Sequence, residues 1–189
     1  WIGYRMLTQR PDEEASATEP TPMPRQDVPD YTGLEVAEES VLGHFVTTYR
    51  RGEDTYDESF AVETSMGEFL GECGMGISEV AGAAEPGKVS AFEVWLFDKT
   101  DIRTVTKVLM SQAAYEDDEL RSKLAAKVEA VLAQPNAPFT LETSGLEVHV
   151  NVNELEYDPD GPEPDSVFSK LTVELVTLAK ALAGGADPV

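Results

Sequence analysis

Apolar and polar positions alternate through the central part of the chain, in segments separated by short turns of Gly, Pro and Asp. Within residues 56–63, Phe60 and Val62 fall on one face by the two-residue period of a strand, and the opposite face is polar. Turns at residues 51–54 and 65–67 bound this segment. The pattern predicts a half-exposed strand within a hairpin.

Further segments continue this pattern on both sides. Residues 89–97 are apolar on both faces at their centre, which is typical of a strand that is covered from two sides. The next segment, 102–110, is rich in β-branched residues, which favour strands. Residues 44–49 predict an earlier strand, and residues 139–143 with 146–155 predict a second hairpin.

Two stretches do not follow the strand period so simply. Residues 117–132 place Leu120 and Leu124 at helical spacing with charges opposite them, which predicts one helix. Residues 168–178 fit a strand or a helix by spacing, and their β-branched content favours the strand. The predicted fold is therefore mainly β: a β-sandwich or twisted antiparallel meander of seven to nine strands with one α-helix.

The N-terminal residues carry a different signature. Trp1 and Tyr4 stand just before the basic Arg5, a pattern typical of a transmembrane helix that continues into a cytoplasmic flank. The alternative is the N-terminus that remains after removal of a signal peptide. We therefore expect a membrane anchor before Trp1, with the cytoplasmic face favoured over the extracytoplasmic one.

Composition then divides the chain into four parts. Residues 1–10 are predicted as a juxtamembrane segment, and residues 11–30 as an acidic linker, because a run so rich in proline favours extended conformations. Residues 31–183 are predicted as a single β-rich domain, and residues 184–189 as a frayed tail.

The net charge of the chain disfavours nucleic acid as a partner. The 189 residues include 36 Asp and Glu against 14 Lys and Arg, a formal net charge of −22. Such a charge repels nucleic-acid phosphates at long range. We therefore expect no nucleic-acid partner, and we interpret the excess carboxylates as a solvated surface.

Cysteine and histidine are scarce, which limits metal and nucleophile chemistry. Cys73 is the only cysteine, so an intramolecular disulfide and a zinc site built on cysteines are excluded. His44 and His149 are the only histidines, so a multi-histidine metal centre would need carboxylates or a second subunit to complete it. We expect no cofactor.

Two catalytic arrangements and one metal site are open to the residue types present. Cys73 would need His44 or His149 as a base, or two carboxylates on neighbouring strands would act as general acid and base. The candidate carboxylates are Glu58, Glu63, Glu72, Glu79 and Glu93. A weak calcium site is suggested by Asp158, Asp160 and Asp165, although this loop lacks the terminal glutamate of an EF-hand and also fits a plain acidic turn.

Three glycines interrupt the strand predicted in residues 68–79. Gly71, Gly74 and Gly76 suggest a bulge or a close approach of another backbone. An absent side chain also lets a partner backbone approach. We therefore predict partner binding at these glycines, together with Trp1 and Tyr4.

Part of the chain resembles a known group of proteins. Residues 67–79, 91–99 and 101–106 resemble an uncharacterised bacterial family of membrane-tethered acidic β-rich domains. Members of that family carry the domain behind a membrane segment and a Pro-rich linker. The resemblance covers the central third of the chain and implies membrane tethering, but no activity and no functional residues.

The expected function is therefore non-catalytic. We expect an interaction or scaffolding domain, an accessory subunit of a membrane protein or membrane complex, that binds through a strand edge or through the glycine-rich strand. One alternative is a small-ligand or calcium-binding β-sandwich. Another is a hydrolase that uses paired carboxylates or Cys73.

Overall fold

The alternating segments form two sheets in a computed structural model that describes residues 41–78, 87–125 and 127–180. These residues hold nine strands and two short helices. In chain order the elements are β1 (Val41–Arg50), β2 (Asp57–Glu63), β3 (Phe69–Ile77), β4 (Ala91–Asp98), β5 (Arg103–Met110), α1 (Gln112–Glu116), α2 (Asp118–Ala125), β6 (Glu129–Leu132), β7 (Phe139–Glu142), β8 (Leu146–Tyr157) and β9 (Phe168–Ala179).

The strands are divided between a four-stranded and a five-stranded sheet. Sheet A has the order β1, β9, β8, β7, and sheet B has the order β2, β3, β4, β5, β6. Neighbouring strands are antiparallel except β5 and β6, which run parallel. Side chains of both sheets meet in one apolar core. The predicted mainly β sandwich is confirmed.

The core is built from alternate positions of the strands in the two sheets. Phe92, Val94 and Leu96 of β4 are fully buried, as are Val148 and Val150 of β8. The residues between them turn to the outer faces and are only half-buried. Burial of one such side chain stabilises the fold by about 1.5–3 kcal/mol. The apolar side chains buried at every second position therefore hold the two sheets together.

The turn at residues 51–54 takes the chain from one sheet to the other. β1 belongs to sheet A and β2 to sheet B. Tyr49 and Tyr56, on either side of the turn, both enter the core between the sheets, and their ring centroids are 5.6 Å apart. The hairpin lies further on, between β2 and β3. It is closed by a hydrogen bond from the Thr64 N–H to the Glu68 carbonyl (2.9 Å).

The last strand confirms one prediction, and the helical region corrects another. β9 lies between β1 and β8, so the strand interpretation of residues 168–178 is confirmed. The helix predicted over residues 117–132 is shorter, since α2 ends at Ala125 and Glu129–Leu132 forms β6. The apolar spacing fits a helix or a strand there. Pairing with residues 107–110 of β5 gives the β6 backbone its partners.

Helices α1 and α2 cover one end of the outer face of sheet B. The Ser111 hydroxyl accepts a hydrogen bond from the Ala114 N–H (3.3 Å) and caps α1. A second, smaller apolar cluster lies under the two helices. Its buried members are Ala91, Val108, Met110, Ala114 and Leu124.

Asp98 links the two sheets through a buried carboxylate at the end of β4. Its Oδ2 accepts hydrogen bonds from the Thr143 hydroxyl (2.7 Å) and the Gly145 N–H (2.9 Å), both in the β7–β8 turn of sheet A. Its Oδ1 accepts one from the Thr100 N–H (2.7 Å). Burial by itself raises the pKa of a carboxyl group, but these hydrogen bonds outweigh it and lower the pKa of Asp98.

Asp98→Asn should destabilise the domain, because the side chain keeps its shape and loses the charge that strengthens these hydrogen bonds. We expect the free energy of unfolding to fall by about 2–3 kcal/mol at neutral pH. Urea unfolding followed by circular dichroism measures the change. Asp101→Asn is the matched control, since the exposed Asp101 accepts a long hydrogen bond (3.4 Å) from Ser144. An equal loss in both variants would contradict the assignment.

The lowered pKa of Asp98 also fixes the sign of a pH effect. The folded state binds the Asp98 proton more weakly than the unfolded state does. The carboxylate therefore contributes fully to stability above the ordinary carboxyl pKa, and this contribution is lost as the pH falls through the lower pKa of the folded state. Below about pH 4, the wild type should lose stability faster than Asp98→Asn. Urea unfolding at a series of acidic pH values tests this, and parallel curves would contradict it.

Candidate functional site

Part of the predicted site lies outside the described residues. Trp1 and Tyr4 are in this part, as are the predicted juxtamembrane segment 1–10 and the linker 11–30. Glu79, one of the candidate carboxylates, is also outside. Partner binding by Trp1 and Tyr4 therefore stays a prediction.

The glycines of β3 are packed against other parts of the chain. β3 lies between β2 and β4 in the middle of sheet B. A side chain at Gly71 would collide with the Phe97 carbonyl of β4 and with Leu146 of the facing sheet. One at Gly74 would collide with the indole ring of Trp95, and Gly76 lies beside the same ring. The missing side chains make room for Trp95 and sheet A, and partner contact at these glycines stays a prediction.

Cys73 is fully buried in the core between the sheets. Burial raises the pKa of its thiol to about 12, and the negative charge of Glu72 adds to the shift. The thiol is therefore protonated at neutral pH. His44 and His149 alternate with core-facing residues of β1 and β8, so both lie on the outer face of sheet A. The structure does not bring Cys73 and a histidine together.

The two histidines occupy matching positions on sheet A. Both lie opposite Val176 of β9, His44 from β1 and His149 from β8. His44 pairs with the buried Glu174, and His149 pairs with Glu147. Within the described residues, no group of three or more His, Cys, Asp and Glu side chains could hold a metal ion. Each imidazole thus has its own carboxylate partner.

The three acidic residues of the predicted calcium loop lie in different environments. Asp158 is almost fully buried, and its Oδ2 lies 2.7 Å from the Arg51 guanidinium. Its Oδ1 accepts a hydrogen bond from the Asp160 N–H (3.1 Å). Asp160 and Asp165 are exposed, and the three carboxylates do not form a group that could hold a metal ion. Asp158 ties its loop to the turn between β1 and β2.

The candidate catalytic carboxylates are spread over sheet B. Glu72 and Glu93 lie on its outer face, where Glu93 accepts a hydrogen bond from the Ser78 hydroxyl (3.2 Å). Glu58 and Glu63 are exposed on the edge strand β2. None of the four lines the groove described next.

The feature that sequence reasoning missed is an open groove beside the first half of β5. The groove has a volume of about 690 Å³ and lies between β5, α2 and the start of β6. Its lining residues are Arg103, Thr104, Val105, Thr106, Arg121, Lys127, Val128, Glu129 and Ala130.

A free strand edge forms one wall of this groove. β6 pairs with residues 107–110 of β5, and in the described part of the chain no strand pairs with residues 103–106 on that side. Unpaired backbone groups at a sheet edge are a template for another strand. The groove can therefore accept an extended segment as a continuation of sheet B.

Two hydrogen bonds show which backbone groups face the groove. The Met110 carbonyl accepts from the Ala133 N–H on the β6 side (2.8 Å), whereas the Ser111 N–H donates towards β4 (2.9 Å). Backbone groups alternate in direction along a strand, and β5 has no bulge against β4. Thr104 therefore presents its N–H and C=O groups to the groove, and Thr106 presents its N–H, whereas the parallel register directs the Thr106 C=O to the Glu129 N–H of β6.

The groove is positively charged. Three cations line it, and within the described residues neither Arg103 nor Lys127 has an ion-pair partner. Arg121 is paired with a carboxylate of its own helix (2.7 Å). Glu129, the carboxylate of the lining, is 3.0 Å from Lys107. A cationic site thus stands on a chain with a net charge of −22.

One signal in the sequence points to this region. Six of the 14 Lys and Arg residues fall in residues 99–127, in a chain dominated by acids. That clustering draws attention to residues 99–127, but it does not predict that a groove forms there. Arg103 and Lys127 line the same groove because β6 returns parallel to β5, and this strand pairing has no counterpart in the hydrophobic pattern.

The domain is thus a β-sandwich with a cationic, open strand edge. No helix within the described residues is long and apolar enough to cross a membrane. Comparisons with protein-family models, with curated proteins and with solved structures found no match for the chain.

Burial of Cys73 predicts an unreactive thiol. The thiolate is the reactive form, and a pKa of about 12 leaves little of it at neutral pH. Ellman's reagent should modify the native chain at least about 100-fold more slowly than the urea-unfolded chain. Cys73→Ala gives the background signal. Equal rates in the native and unfolded states would show that Cys73 is accessible.

Proposed function

We propose that this domain is a non-catalytic interaction module that binds its partner by strand addition beside β5. The observation that carries the proposal is the free edge over residues 103–106. There, Thr104 offers one N–H donor and one C=O acceptor to an incoming strand, and Thr106 offers a further N–H donor. Main-chain hydrogen bonds of this kind supply much of the affinity in strand addition.

The longer sheet edges differ from this one in ways that favour the proposal. β2 carries exposed acidic side chains at Asp57, Glu58 and Glu63, and charges on an edge strand discourage pairing. Phe45 of β1 stacks on Phe60 of β2, with ring centroids 4.8 Å apart, and closes the sandwich between these two edges. Unlike them, the first half of β5 combines open backbone groups with a groove.

The chemistry of the remaining candidates also favours a non-catalytic role. Cys73 is buried and protonated, and the histidines are paired with their own carboxylates. The groove is lined by cations and threonines rather than by paired acids. These groups suit binding of a partner better than bond cleavage.

In this proposal the domain is tethered to a membrane and serves as an accessory subunit of a membrane protein complex, with the cytoplasmic face favoured. The support comes from the sequence. Trp1 and Tyr4 precede the basic Arg5, and the Pro-rich acidic segment 11–30 follows. The tether would hold the groove close to its partner and raise the effective concentration of the pair.

Thr104→Pro should block strand addition. The Thr104 N–H faces the groove, so proline removes an edge donor and spares the hydrogen bonds to β4. Thr104→Val is the matched control, since it keeps the N–H and the shape. Mild-detergent affinity capture of the tagged full-length protein from its native membranes, followed by mass spectrometry, should recover a stoichiometric membrane partner. We expect about tenfold less partner with Thr104→Pro.

Two results would refute this function. One is an equal yield of partner with Thr104→Pro, and the other is recovery of the wild type alone in the soluble fraction. Circular dichroism verifies that each variant is folded. Thr106→Pro, which also faces the groove with its N–H, provides a second variant should Thr104→Pro unfold.

A further inference from the structure

Ile102 has an unusual backbone conformation for its residue type, and it is the sequence neighbour of Arg103, which lines the groove. Its φ is +52°, in the left-handed region that β-branched residues rarely adopt. It lies in the β4–β5 turn, directly before Arg103. The residue is 83% exposed, so burial does not offset the strain.

The other positive-φ positions show what this backbone normally carries. In the described residues, the remaining non-glycine residues with positive φ are Asn136 and Asp165. Asn and Asp tolerate this region because their short polar side chains bond locally. Ile102 is the exception, an exposed apolar side chain where Asn or Gly would be less strained.

Backbone strain that no packing contact offsets is typical of positions that serve a function. An exposed apolar side chain beside a free strand edge supplies a contact that a partner can bury. The free edge spans four residues, or about 13 Å at 3.3 Å per residue. An added strand of five or six residues would therefore reach from the Lys127 end of the groove to Ile102.

The charge of the groove specifies the rest of the partner. Arg103 and Lys127 lack ion-pair partners within the described residues, and carboxylates are the groups that they would attract. A second copy of this chain fits poorly, because antiparallel pairing of two β5 edges would oppose like charges. A basic segment would be attracted to the acidic surface everywhere and repelled at the groove.

Resting on the proposed function, we infer that the groove binds an extended segment of another protein that carries carboxylates along the strand and an apolar side chain at the Ile102 end. The carboxylates meet Arg103 and Lys127. The apolar side chain packs on Ile102. The net charge of −22 repels acidic chains elsewhere on the surface, so the groove selects a segment that can lie in it as a strand.

A random dodecapeptide display library, selected on the full 189-residue chain, identifies the preferred segment directly. The selected peptides should be enriched in Asp and Glu at alternate positions, with a Leu, Ile or Phe near one end. Their affinity should fall as NaCl rises from about 50 to about 500 mM. Enrichment of basic or uncharged peptides would overturn the inference.

Ile102→Asn gives two readouts of opposite sign on a selected peptide. Relief of the backbone strain should raise the Tm by about 2–4 °C. Loss of the apolar contact should weaken binding about fivefold. Val46→Thr, which changes an exposed apolar residue of sheet A, should leave binding unchanged. An Ile102→Asn variant that binds as tightly as the wild type would overturn the role of Ile102.

The charge and edge variants separate this inference from the proposed function. Arg103→Glu combined with Lys127→Glu should weaken binding about tenfold or more. If Thr104→Pro abolishes binding of the selected peptides while the charge variant and Ile102→Asn bind normally, strand addition stands and this inference is overturned. If Thr104→Pro also leaves binding unchanged, the proposed function fails as well.

Discussion

Burial of alternate side chains between two sheets is the interaction on which the rest of this domain depends. A strand that slipped by one residue would turn its apolar face outward, so the core fixes the register of every strand. Asp98 reinforces this arrangement at one end, because its buried carboxylate in sheet B accepts hydrogen bonds from Thr143 and Gly145 in sheet A. The register in turn decides which groups reach the edges of the sheets, where the domain is open to partners.

The groove results from the way sheet B ends. After the antiparallel strands, the chain passes through α1 and α2, and β6 then returns parallel to β5. β6 has four residues and covers only the second half of β5. The same return places Lys127 and Arg121 in the lining of the groove, together with Arg103. One irregular connection therefore creates both the open edge and its positive charge, and a cationic site on an acidic chain combines local attraction with general repulsion.

Most residues that suggested chemistry in the sequence serve the structure instead. Cys73 fills the core, where burial raises its pKa, and Asp158 pairs with Arg51. The glycines of β3 make room for Trp95 and the facing sheet. Within the described residues, the groups that the proposal uses for binding are backbone at an edge, a few cations and the exposed Ile102.

The sequence by itself determined the fold class and most of the strands. Residues such as Phe92, Val94 and Leu96 alternate at the period of a strand, and that period is a local property of the chain. Only the tertiary structure decided that residues 129–132 form a strand, because their spacing also fits a helix and the choice depends on pairing with β5. The position of the groove was likewise decided by the tertiary structure. Arg103 and Lys127 are 24 positions apart, and their place in the lining of one groove depends on the path of the chain rather than on local spacing.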